Sequence, residues 1–131
     1  MFLSIGSNVG TTVAGVTSSW GGARSQLYNP YAVHVTTNGT MFILDTSNYR
    51  VLRWDLGQPM GVVVAGGQGA GSGFNQISTS YAMFVDEQEN IYISDNANNR
   101  IVRWSPSNTS SGILVCVIYL NRFYLDSSFS I

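Results

Sequence analysis

The chain has 131 residues, of which 44% are apolar and 10% charged, and its formal net charge is -1. That length suits one ordinary domain with a core, while the charged fraction lies well below the usual figure of about 25%. Its basic residues are six scattered arginines with no lysine, so the sequence lacks the electrostatic footprint of sequence-independent nucleic-acid binding.

The opening "MFLSIGSNVG" has neither the basic leader nor the long apolar run of a signal peptide, and residues 1–9 read as an N-terminal extension. Residues 10–15, containing "TVAG", read as a closing strand that belongs to a preceding unit. A long polar connector, "VTSSWGGARSQLYNP", follows. Four short runs rich in Val, Ile, Phe, Tyr and Trp then succeed one another: "YAVHV", "MFILD", "RVLRW" and "GVVVA". Each is bounded by Gly, Asn, Asp or Ser, which predicts strands joined by turns. After a second connector, "AGGQGAGSGF", the series repeats as "YAMFV", "IYISD", "RIVRW" and "GILVCV". The tail 119–131 leaves the pattern. No run is long enough to span a bilayer as a helix, and no helical stripe of useful length occurs.

The two series are an internal repeat. An offset of fifty residues carries Asp45 to Asp95, Asn48 to Asn98, Arg50 to Arg100 and Trp54 to Trp104, and also Gln26 to Gln76 and Tyr31 to Tyr81. A period of this length predicts a propeller, solenoid or array. Four antiparallel strands joined by short turns form a meander, the blade of a β-propeller. The runs are apolar on both faces, as expected for sheets packed between neighbours. The predicted fold is therefore all-β: a propeller segment with blades at 16–66 and 67–118, each including its entry loop, preceded by the outer strand at 10–15.

Units such as "NIYISDNANNRIVRW", followed by Gly and an apolar strand and, in the first unit, closing on "VAGG", resemble NHL repeats. The resemblance covers roughly residues 10–117 and implies a propeller, commonly of six blades, used chiefly as a binding platform. Two blades and a strand do not close a ring, and unpaired blade edges and faces stay open. The missing blades are expected from a longer chain, with self-assembly of several copies as the alternative.

Repetition also decides how the polar residues read. Asp45, Asn48 and Arg50, with Asp95, Asn98 and Arg100, are expected to shape a turn, since Asp and Asn bond tight-turn backbone and Arg pairs with Asp. A catalytic carboxylate would occur once. Neither turn carries the further close-set ligands of a calcium loop. Trp54 and Trp104 are expected in the core. Cys116, in "GILVCVIYL", is expected to be a buried thiol. The glycine-rich connector lacks the Lys-Ser/Thr and following helix of a phosphate loop. His34, standing where the second unit has Phe84, reads as a packing residue; a metal-dependent propeller lyase or hydrolase would need further histidines from other blades or copies.

Loops of a meander alternate between its ends, so the long connectors are expected beside the Asp-Asn-Arg turns. Their Trp20, Arg24, Tyr28, Gln68, Phe74, Asn75 and Gln76 form the expected binding face, suited to a protein or a glycan partner. At the other end, Asn38 in "NGT" and Asn108 in "NTS" are glycosylation sequons, which favour a secretory location if used. The expected function is a non-enzymatic binding scaffold with no cofactor and no catalytic or metal-binding residue. The alternatives are a subunit or remnant of a propeller lyase or hydrolase with a metal near the axis, and a structural segment of a larger propeller without independent function.

Overall fold

The computed structural model describes residues 9–119 and 122–125. Its first sheet contains β1 (Pro30–Val35), β2 (Met41–Asp45), β3 (Arg50–Trp54) and β4 (Val62–Gly66), paired in chain order. The second contains β5 (Ala82–Val85), β6 (Ile91–Asp95), β7 (Arg100–Ser105), β8 (Asn108–Tyr119) and β9 (Arg122–Leu125), again in chain order. Every neighbouring pair is antiparallel. The chain is an all-β propeller segment of two meander blades.

The repeat in sequence becomes a repeat in register. Asp45 pairs with Arg50 and Met41 with Trp54 in the first blade, as Asp95 pairs with Arg100 and Ile91 with Trp104 in the second. Each third strand shifts register against its outer neighbour at the same place, between Val51 and Leu52 and between Ile101 and Val102. Such a bulge increases local twist. The inner turns are also equivalent. Thr36 N–H donates to Thr40 C=O at 2.9 Å, and Asp86 N–H to Asn90 C=O at 3.1 Å. The left-handed position of each turn holds Gly39 (φ 88°) in one blade and Glu89 (φ 65°) in the other.

The blades pack face to face. Phe42, Leu44, Val51 and Ala65 of the first share one buried cluster with Ile77, Val85, Ile91, Ile93, Val102 and Trp104 of the second. Met41, Ile43, Leu52 and Trp54 form a second cluster on the first blade's other face, covered by Val13, Ala14 and Leu27. This explains why β2 is buried at every position whereas β6 alternates: the first sheet is covered on both faces and the second mainly on one. Trp54 and Trp104 are core residues, and Cys116 is buried. Gly112 lets the outer strand pass over Trp104, since a Cβ there would lie 2.7 Å from its indole Nε1.

Both ends of the repeat depart from a plain four-stranded unit. Residues 10–15 form no ladder, because no described strand lies alongside to pair with them. They nevertheless pack as an outer strand does: Val13 and Ala14 sit on the first blade as Val64 and Ala65 sit on the second. At the other end, β9 pairs with β8 through Cys116–Leu125 to Tyr119–Arg122, so part of the tail 119–131 adds a fifth strand. The N-terminal extension 1–9 lies outside the described residues except for Val9, as do tail residues 120, 121 and 126–131.

Candidate functional site at the connector end

The Asp-Asn-Arg turn is a clamp on the connector that precedes its blade. A single 3-10 turn, Thr46–Asn48, follows β2 and ends with Tyr49 in the left-handed region; Asn96–Asn98 and Asn99 repeat it after β6. This reversal brings Arg50 Nε within 2.8 Å of Asp45 Oδ2, with both side chains buried. The guanidinium then donates from Nη1 to Gly22 C=O at 2.8 Å and from Nη2 to Ala23 and Gln26 C=O at 2.9 and 3.0 Å. Asn48 Nδ2 bridges Asp45 Oδ2 and Gly21 C=O, and Tyr28 N–H donates to Asp45 Oδ1 at 2.7 Å.

The second blade repeats each of these bonds. Arg100 reaches Asp95, Ser72, Gly73 and Gln76; Asn98 bridges Asp95 and Gly71; Ser78 N–H donates to Asp95 Oδ1. Buried carbonyls of a loop need partners, and one guanidinium fork satisfies three of them in each connector while its own charge is met by the carboxylate. Two long polar loops are thereby held on the ends of the sheets, on the same side as the turns.

Within that end, the expected binding residues divide into two groups. Gln26 and Gln76 face into their own connectors: Gln26 Nε2 donates to Ser19 Oγ at 3.1 Å, and Gln76 Nε2 donates to Gln68 C=O at 3.0 Å while its Oε1 accepts from Gly73 N–H. They belong to the clamp, and their recurrence at the offset of fifty was the signal for it, since a residue repeated with the blade serves the blade. Arg24, Gln68 and Asn75 are exposed. Phe74 is exposed beside the Arg100 guanidinium, whose Cζ lies 5.7 Å from the ring centroid.

Trp20 and Tyr28 are brought together. Their rings stack at 4.5 Å between centroids with planes inclined by 24°, and Trp20 remains 70% exposed. Beside them opens a groove of about 430 Å³ whose lining is mixed: Thr12, Thr17, Ser18, Ser19 and Asn29 on the polar side, and Ala14, Val16, Leu27 and Pro30 with Trp20 on the apolar side. The second unit has Ala70 and Ser78 at the equivalent positions, so the blade itself does not require this pair.

Comparison with protein-family models and with curated proteins gives no match to this chain.

The remaining singled-out residues lie elsewhere. His34 borders a cleft of about 550 Å³ between the inner turns, along with Asp86, Glu87 and Glu89. Asp86 is committed to its own turn, accepting from Gln88 and Asn90 N–H and from Asn90 Nδ2. Among the described residues no three His, Cys, Asp or Glu side chains converge as a metal-ligand group. Asn38 and Asn108 are exposed at the end opposite the connectors, Asn38 in the β1–β2 turn and Asn108 at the start of β8. No helix among the described residues is long and apolar enough to cross a membrane.

Proposed function

We propose that this chain is a segment of an NHL-like propeller that serves as a non-enzymatic binding scaffold, with a protein partner engaged at the connector end. One observation carries the reading: an exposed tryptophan, supported from beneath by a stacked tyrosine, stands on a loop whose backbone is held by the buried Arg50–Asp45 pair. Presenting a large ring without a flexible loop keeps the ordering cost of binding low, and exposed aromatics are the usual anchors of protein interfaces. The departure of Trp20 and Tyr28 from the repeat supports a role other than building the blade.

The groove beside Trp20, where Ser and Thr hydroxyls and Asn29 border apolar Val16, Leu27 and Pro30, favours a glycan as the second reading, because a sugar ring stacks on an indole and apolar walls while its hydroxyls bond polar side chains. Crosslinking from a photoreactive residue at Arg24, with Trp20→Ala and the remote Gln88→Ala compared, tests both. A protein crosslink lost in Trp20→Ala and kept in Gln88→Ala supports the first reading, while saturable binding to an immobilised glycan set with the same dependence supports the second. Binding unchanged by Trp20→Ala rejects the connector end as the site.

A further inference from the structure

The contact between the two blades has a direction, and the chain carries unused copies of both its sides. On the first blade the contact uses Ala32, Phe42, Leu44, Val51 and Ala65; on the second it uses Met83, Val85, Ile91, Ile93, Val102 and Trp104. The offset of fifty carries the second set onto Val33, Val35, Met41, Ile43, Leu52 and Trp54, which form the opposite face of the first blade. It carries Ala32, Phe42, Leu44 and Val51 onto Ala82, Tyr92, Ser94 and Ile101, with Phe84 between, on the opposite face of the second blade, where Cys116, paired with Ile101 as Ala65 is with Val51, is already buried.

Each unused face is open at its inner half. Val85 is 3% exposed inside the contact, whereas its equivalent Val35 is 52% exposed and the neighbouring Val33 60%. The outer half of that face is already covered, since Val13, Ala14 and Leu27 stand in for Val64, Ala65 and Ile77. What remains is an apolar hollow of about 320 Å³ lined by Val13, Ala14, Leu27, Val33, Met41 and Ile43. In the internal contact the corresponding place is taken by an inner hairpin, β1 and β2, lying against β5.

Among the described residues, an inner hairpin with its contact face open occurs once more. On β5 and β6, Ala82 is exposed, Phe84 is 64% exposed and Tyr92 is half-buried, while Phe42, the equivalent of Tyr92, is fully covered inside the contact. Ser94 replaces Leu44 there, and its hydroxyl is already spent on Asn96 Oδ1 at 3.2 Å.

We propose that copies of this chain dock head to tail, the β5–β6 hairpin of one copy seating Phe84 and Tyr92 in the hollow lined by Val33 and Met41 of the next. A second copy is the fitting occupant because both halves of the contact lie on every chain and repeat a contact the chain already makes. Such a heterologous contact closes into a ring when the rotation per copy divides a full turn, and otherwise extends as a filament.

The test uses the full chain with Val33→Arg and Phe84→Arg, both at exposed positions, after circular dichroism has shown each variant folded. Sedimentation velocity across a concentration series should show wild type populating assemblies of two or more copies. Each variant alone should lose all mass above one copy, and their equimolar mixture should give a dimer and nothing larger, because one open hairpin and one open hollow remain. Wild type that stays monomeric throughout overturns the proposal and assigns the two faces to blades of a longer chain. Variants that still self-associate singly, or a mixture that stays monomeric, overturn it equally.

Discussion

Arg50 and Asp45 meet at 2.8 Å in a buried pair, and the rest of the guanidinium holds three backbone carbonyls of the connector, so one side chain joins a turn to a loop 24 to 28 residues away. Arg50→Met removes the partner of a fully buried carboxylate, for which a loss of about 3–5 kcal/mol is expected. Arg50→Lys keeps the charge but not the fork and should cost less than Met while still loosening the loop. Urea unfolding measures both, and hydrogen exchange at Gly22 to Tyr28 should rise in each. Equal stability of wild type and Arg50→Met would remove the clamp from the account.

Glu89 occupies a left-handed position that Gly39 fills in the other blade. Among the described residues it pairs with Arg53, at 3.8 Å and partly exposed, a contact that is worth little. Glu89→Gly should therefore stabilise the fold, by up to about 1 kcal/mol from relief of the left-handed backbone. A lower midpoint in thermal unfolding would show that the ion pair outweighs the strain.

The two core tryptophans differ in one hydrogen bond. Trp54 Nε1 donates to Gln58 C=O at 2.8 Å, whereas Trp104 Nε1 is buried with no hydrogen-bond partner among the described residues. Replacement by Phe costs each site packing volume, and Trp54→Phe loses a net bond of about 1 kcal/mol in addition. Trp54→Phe is expected to be the more destabilising of the two in parallel denaturant titrations.

Thr46 Oγ1 donates to Ser80 C=O at 2.8 Å, a buried bond that crosses from the first blade to the entry of the second. Thr46→Val keeps the shape and removes the donor, leaving the carbonyl without it, at an expected cost of about 1–3 kcal/mol. The same titration reads the midpoint; a shift no larger than that of Thr37→Ala, at an exposed position in the β1–β2 turn, would show that the bond adds nothing to docking.

The amino-acid pattern alone determined β1 to β8, their order and the two blades, because strand formation and tight turns depend on neighbours a few residues apart and the repeat displays each choice twice. It also marked Asp45, Asn48 and Arg50 as a unit. Tertiary structure decided where that unit's remaining donors go, since the path of a connector more than twenty residues away leaves no local trace. For the same reason Gln26 and Gln76 move from the expected binding face into the clamp, while Trp20 and Tyr28 become a stacked pair. The fifth strand, β9, arises because an outer edge accepts any segment with free backbone groups, whatever its resemblance to the repeat. Which apolar faces are covered is equally a matter of docking: Val35 and Val85 are the same residue at equivalent positions, and only the second has a blade against it.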